Sequence, residues 1–208
     1  SCNIIIREKY VEDLQKKRID TNEPDVQWML GTSKKLTATT SNDDVIKASD
    51  IIFTLVPTPS LPDGSYDVSC VWDVVEDFQT ADFDVAGKTL VGGCTTNPGD
   101  CDAFQKELVE CGVSVVYNPE FIAQGSIIHD LQHADMVLLG HSHNRDLDHV
   151  MNNIQSLYKK IQVTRAIVCS MSLKAAEITK IAVNCFLTTK ISYANMLGDT
   201  LHRAGCGG

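Results

Sequence analysis

Five short apolar runs, each followed by a stretch with helical spacing, constrain this chain more than any other feature of its sequence. "IIFTLV" (51–56) is a continuous apolar run opening on β-branched residues, the pattern of a strand buried on both faces. "KTLVGG" (88–93), "VSVVYN" (113–118), "DMVLLG" (135–140) and "RAIVCS" (165–170) repeat it. Around these runs lie helix candidates. "SNDDVIKAS" offers Ser41 or Asn42 as a cap with acids in the first turn. "SYDVSCVWDVVEDF" follows, then "CDAFQKELVECG", closed by Gly112. "RDLDHVMNNIQSLYKK" ends on two lysines, the end of a helix that favours cations. Strand–helix alternation of this kind predicts an α/β fold with a mostly parallel sheet covered by helices.

The two ends depart from that rhythm. "IIIREKYVEDLQKKR" reads as a strand end feeding a helix, and Pro24 in "NEPDVQWML" suits a first helical turn. Residues 172–203 form one unusually long helical pattern, a length that suits bridging domains or pairing with a partner. The spacing therefore predicts a sheet domain over 1–170, then a long linking helix and the start of another domain over 171–208. Inside that helix, Asn184 is the only polar side chain between Ile181 and Leu187, and Lys180 stands immediately before the run. Such a run predicts burial. Lys180 and Asn184 share one helix face, which Glu177 and Thr188 extend. In the bland reading Lys180 snorkels to solvent and Asn184 bonds within a helix contact. In the functional one, a cation beside an amide stabilises a developing alkoxide.

Composition excludes several classes. A length of 208 residues fits one large domain, or one plus the beginning of a second. No apolar run approaches the roughly 18 residues that span a membrane. The opening "SCNIIIREKYV" is too soon interrupted for a secretory signal. A net charge of -9 argues against nucleic acid, which requires a basic footprint. A phosphorylated small molecule would need local backbone N–H groups and a few placed cations. The eight cysteines form no CxxC pair and lie mostly in or beside apolar stretches, as small buried side chains in a reduced, cytoplasmic compartment. His141, His143 and His149 cluster without cysteine or paired acidic ligands nearby, so no metal site is expected. No GxGxxG turn, the usual pyrophosphate cradle, occurs anywhere in the chain.

Ligands of open α/β sheets sit beyond the carboxyl ends of the strands. There "PTPSLPDG" places Thr58 at the tip of a proline-stiffened loop, or forms a plain connection. "CTTNPGD" sets Thr95, Thr96 and Asn97 before a helix start, where hydroxyls and free N–H groups would hold an anion or a water unless they serve only as caps. In "NPEFIAQGSIIHD", Glu120 precedes Phe121, Ile122 and Gly125, and a carboxylate among apolar groups acquires a raised pKa and works as a base. The alternative is a glutamate capping a short helix. Asp130 is placed to tie the loop down.

Together these segments resemble the UDP-glucose/GDP-mannose dehydrogenase family over residues 5 to 203. "VPTPS" is similar to its V-x-T-P loop, "CTTNPGD" to its S-T-V-P-x-G turn, and "NPEFIAQGSIIHDLQHADMVLLG" to its N-P-E-F-L-x-E-G…D…P-D-R-V-x-x-G block. "AEITKIAVNCFLTTKISYANMLGD" resembles the A-E-x-x-K-x-x-x-N helix that links the family's two domains and builds much of its dimer interface. The resemblance implies a Rossmann-like, NAD-dependent enzyme that oxidises the C6 alcohol of a nucleotide sugar to a carboxylate in two hydride transfers. It assigns oxyanion stabilisation to Lys180 and Asn184, which also touch the substrate. It assigns acid/base work to Glu120, water holding to Thr95, cofactor contact to Thr58, Pro59, Thr95 and Gln124, and the sugar pocket to Phe121 and Ile122.

Departures from the pattern accompany it. The family's GxGxxG falls upstream of residue 1, and its ribose-binding acid, expected near Ile5, is absent. Gln124 replaces a glutamate and Met136 an arginine. The family's nucleophilic cysteine belongs to a G-G-x-C-F-x-x-D motif well beyond Lys180, and Cys206 in "AGCGG" lacks that context. The chain is thus expected to be a fragment or a degenerate relative. The competing readings are a non-catalytic dimerising or binding protein, and a single-step 3-hydroxyacid-type dehydrogenase.

Overall fold

The structure is a computed structural model that describes residues 8–142 and 147–206. Its centre is a five-stranded sheet in the order β1 (Ile51–Thr54), β2 (Thr89–Gly92), β3 (Ser114–Tyr117), β4 (Met136–His141) and β5 (Ile167–Met171). β1, β2 and β3 run parallel, β4 runs antiparallel to β3, and β5 runs parallel to β4. The sheet is thus mostly parallel, as expected, with one reversed junction. The crossovers before β2, β3 and β5 contain α4 (Ser69–Thr80), α5 (Asp100–Leu108) and α7 (Asp148–Ile161). Between β3 and β4 there is only the short α6 (Ile127–Gln132). A full helical crossover is what returns a chain parallel, and this connection comes back antiparallel.

Successive strand residues point to opposite faces, and the two faces are covered unequally. Leu90, Val115, Tyr117 and Leu138 pack with Val75 and Phe78 of α4 and Phe104 and Leu108 of α5. Val91, Val116, Val137 and Leu139 meet Val150, Met151 and Ile154 of α7. α1 (Glu8–Gln15), α2 (Val26–Thr32) and α3 (Asn42–Ala48) precede the sheet. Ser41 caps α3 by accepting from the Asp44 N–H. After α5, a short 3-10 turn ends at Gly112, whose φ of 72° suits a residue without Cβ.

The long helix α8 (Leu173–Arg203) starts at a Ser172 cap, whose side chain accepts from Ala175 N–H. Its first turns bury Leu173, Ala176, Glu177 and Lys180. Gly140 of β4 makes that approach possible, because an added Cβ would lie 2.7 Å from the Ala176 Cβ and 3.2 Å from the Leu173 Cα. Gly140→Ala is therefore expected to destabilise the protein by about 2 kcal/mol through overpacking, read as a lower midpoint in denaturant titration. An unchanged midpoint would mean that α8 shifts freely over β4.

Within this single chain the sheet domain covers only the first part of the apolar run of α8, where Ile181 and Val183 are half-buried. Every residue from Cys185 to Cys206 is exposed, and Phe186 and Ile191 keep 64% and 62% of their surface. The reason is geometric. The helix packs on β3, β4, β5 and α5 near its start and then runs past the sheet. None of the helices among the described residues is long and apolar enough to cross a membrane. Cys94, Cys101, Cys111, Cys169, Cys185 and Cys206 are free thiols, whereas Cys70, buried in α4, is disulfide-bonded, a departure from the expectation of reduced cysteines throughout. Among the described residues no group of three or more His, Cys, Asp or Glu is arranged for a metal, and His143 lies outside them.

Candidate active site

Two loops meet beyond the carboxyl ends of β1 and β2. The Thr58 loop folds back on itself, with Asp67 N–H donating to the Pro59 carbonyl at 2.8 Å and Leu61 N–H to the Ser65 carbonyl at 2.7 Å. Asn97, in the turn after β2, grips the Tyr66 backbone: its amide donates to the Tyr66 carbonyl at 2.9 Å and its oxygen accepts from Tyr66 N–H at 2.8 Å. The "PTPS" and "CTTNPGD" segments therefore form one unit. Thr58 and Thr95 within it are half-buried, Pro59 is exposed, and neither threonine hydroxyl has a hydrogen-bond partner among the described residues.

Thr96 points the other way. It is buried and donates to the Glu177 carboxylate at 2.8 Å. The same carboxylate accepts from Gly99 N–H at 2.6 Å and Cys101 N–H at 2.8 Å. Glu177, fully buried on α8, thus caps α5 from outside its own helix. Of the N–H groups at this helix start, those of Gly99 and Cys101 are taken by Glu177, so for these two the capping alternative is the one observed. The signal was present in the sequence: an acid three residues before Lys180, on the same face, beside an apolar run. The neighbouring thiols are held in their protonated form, which is the poorly nucleophilic one. Burial pushes the Cys94 thiol up to about 11. Burial, with the Glu177 charge added, pushes Cys101 well above the ordinary thiol range.

Glu120 leaves β3 through Asn118 and Pro119. Asn118 N–H donates to the Gly92 carbonyl at 2.8 Å, and Glu120 N–H to the Gly93 carbonyl at 3.4 Å. Lys180, buried on α8, donates to the main-chain carbonyl of Glu120 and lies 4.3 Å from the centre of the Phe121 ring. It forms no ion pair with the Glu120 carboxylate within 4 Å. The two side chains still feel each other. Burial raises the half-buried Glu120 carboxyl above the ordinary glutamate range, and the Lys180 charge opposes that rise. Burial lowers the Lys180 amine, and the Glu120 charge opposes that fall. In both groups desolvation outweighs the attraction.

The remaining candidates divide. Asn184 is half-buried one turn beyond Lys180, and its side-chain amide makes no hydrogen bond. Phe121 and Ile122 are half-buried beside Glu120. Gln124 is exposed on the following turn, and its side chain makes no hydrogen bond among the described residues. That turn is held by Asp130, which accepts from Ala123 N–H and the Ser126 hydroxyl, each at 2.8 Å. It is also held by Glu23, which accepts from Gly125 N–H at 2.5 Å and Ile127 N–H at 3.2 Å. Sequence reasoning missed this role of Glu23, which reaches across 102 residues. A cavity of about 330 Å³ opens between Phe121, Asp130, His133, Met136, Val183 and Leu187.

Beside the carboxyl ends of β1 and β2 the hydroxyls of Thr58 and Thr95 are thus open to a ligand's polar groups, whereas at the start of α5 Glu177 already occupies the Gly99 and Cys101 N–H groups.

Residues 3–162 match the NAD binding domain of the UDP-glucose/GDP-mannose dehydrogenase family. A UDP-glucose 6-dehydrogenase of Rickettsia conorii is 30% identical over 83% of this chain and 39% of its own length. A UDP-glucose dehydrogenase structure from Pyrobaculum islandicum aligns with TM-score 0.76 and 29% identity, over 91% of this chain and 44% of that one. The fold is also that of a ternary complex of GDP-mannose dehydrogenase from Pseudomonas aeruginosa, with TM-score 0.83 and 20% identity, over 96% of this chain and 47% of that one. The chain spans less than half the length of the curated relatives it matches. Matched by its NAD binding domain over most of its residues, the chain belongs to the UDP-glucose/GDP-mannose dehydrogenase family.

Proposed function

We propose that this chain is the cofactor-side part of an enzyme that oxidises the C6 alcohol of a nucleotide sugar to the uronate in two hydride transfers. The observation that carries the reading is the buried Lys180 amine, held beside Glu120 and Phe121 without a carboxylate to neutralise it. An unneutralised cation in a low-dielectric site is suited to an oxygen that becomes negative during reaction. Asn184 offers an unpartnered amide on the same helix face. Glu120, with its raised pKa, serves as the acid/base group, and Thr95 holds the hydrolytic water. Phe121 and Ile122 shape the sugar pocket. Thr58, Pro59, Thr95 and Gln124 line the cofactor, which when bound accepts the hydride. A covalent second oxidation needs a thiolate, a part that Cys94 and Cys101 do not suit.

The test is NADH production by the chain joined to its flanking coding sequence, with UDP-glucose, UDP-N-acetylmannosamine and GDP-mannose offered in turn. Two NADH per sugar are expected. One NADH with a ketone product would replace the proposal by a single-step dehydrogenase, and none with any sugar would leave a binding protein.

The pH profile follows from the two shifts. A general base must be ionised, so the acid limb should rise through the Glu120 pKa, above the ordinary glutamate range. A cationic Lys180 must be protonated, so the basic limb should fall through its pKa, below the ordinary lysine range. Glu120→Gln should abolish the acid limb. Its survival in that variant would remove Glu120 from the role.

The outer half of α8 supports a homodimer, because Phe186, Ile191, Met196 and Leu201 lie exposed along it. An apolar surface of this kind on one helix marks an interaction face. The substitution Ile191→Asp should convert a dimer to a monomer in sedimentation analysis. A wild-type chain that already sediments as a monomer at high concentration would refute the assembly.

A further inference from the structure

We propose that Tyr158 of α7, acting through Asn118, is a positioning residue for Glu120, an inference that rests on the acid/base role proposed for that carboxylate. The Tyr158 hydroxyl donates to Asn118 Oδ1 at 2.8 Å. Asn118 Nδ2 donates to the Leu138 carbonyl of β4 at 3.0 Å, and Asn118 N–H to the Gly92 carbonyl of β2 at 2.8 Å. This one residue, 4% exposed, is thereby fixed to α7 and β4 by its side chain and to β2 by its backbone. Pro119 then restricts the backbone between Asn118 and Glu120.

This matters because the Glu120 carboxylate makes no hydrogen bond among the described residues. There Glu120 is held by its backbone: a long N–H bond to Gly93 and a carbonyl that accepts from Lys180. Where its carboxylate points is consequently set by the segment that Asn118 anchors. Tyr158 is also close enough to sense the outcome. Burial raises its phenol, the bond to Asn118 opposes this, and the Glu120 charge adds to the rise. The phenol therefore remains a hydrogen-bond donor across the neutral range. Its ring lies on the far side of the sheet from the α4–α5 core, packed against the α7 cluster. From that face α7 thus reaches the segment that follows the end of β3.

Carbon-13 NMR titration of the glutamate carboxyls in the 208-residue chain tests this, with Glu120→Gln identifying the resonance. Tyr158→Phe removes one hydroxyl and preserves the ring. It is expected to move the Glu120 midpoint down toward the ordinary glutamate value by about half a unit, roughly threefold in the ionisation constant. Exchange of the Glu120 N–H should also accelerate severalfold. Ile154→Val, a core trim on the same helix, is the control: it should lower the melting temperature without either change. If Tyr158→Phe lowers the melting temperature but leaves the Glu120 midpoint and exchange as they are in Ile154→Val, the residue is only a packing element and the proposal falls. The outcome is separate from the fate of the dehydrogenase reading, which fails if Glu120→Gln leaves turnover intact.

Discussion

Lys180→Met should lower kcat about a thousandfold, in the chain joined to its flanking sequence, while leaving stability unchanged or slightly improved. The two halves of this expectation have one cause. The Lys180 amine is buried deeply enough that desolvation lowers its pKa despite the neighbouring Glu120, so the charge is a cost to the folded state. Methionine removes that cost, fills a similar volume and packs its sulfur against the Phe121 ring. What it cannot supply is positive charge at the reacting oxygen. Steady-state NADH production and thermal denaturation of the same preparation read both quantities. A kcat within tenfold of wild type would end the oxyanion role. A melting temperature lowered by many degrees would make Lys180 a structural strut tied to the Glu120 carbonyl.

Glu177→Ala should act in the opposite sense, on the fold first. The substitution leaves Gly99 N–H, Cys101 N–H and the Thr96 hydroxyl without their acceptor in a buried place. Each stranded donor costs on the order of 1–3 kcal/mol, and partial relaxation brings the expected total to about 4 kcal/mol. In a domain of this size that corresponds to a fall in Tm of about 10 °C. Glu177→Gln should lie between, since its amide oxygen keeps one acceptor while its NH₂ faces a second donor. A fall of less than about 3 °C for the alanine variant would show that water replaces the carboxylate without loss. The two residues stand three apart on one helix, yet one is expected to control rate and the other stability.

The strands and helices were legible because their signals are local. Apolar runs located all five strands to within two residues at each end, and the helical pattern over 172–203 corresponds to α8 at Leu173–Arg203. The reversed junction before β4 was not legible, since a strand's direction is not written in its own residues. The candidate site divides on the same line. Lys180 and Asn184 were singled out by spacing, and Glu120 by its place after a strand. The bonds of Glu177 to Thr96 and of Glu23 to Gly125 span 81 and 102 residues, and no local pattern pairs such groups. The burial expected of α8 is supplied by this chain only near the start of the helix. An apolar run states that a surface wants cover, not whether this chain supplies it.

α8 is in effect a rod clamped at one end. Its clamp is the turn holding Glu177 and Lys180, and from Lys180 to Arg203 it extends about 35 Å at the α-helical rise. A stiff rod delivers any sideways push on its free end to its clamp as a tilt. Here the clamp also carries the amine. A neighbour that gripped the far end of α8 would therefore tilt Lys180, and under the oxyanion role proposed for that amine the choice of neighbour would become an adjustment of chemistry.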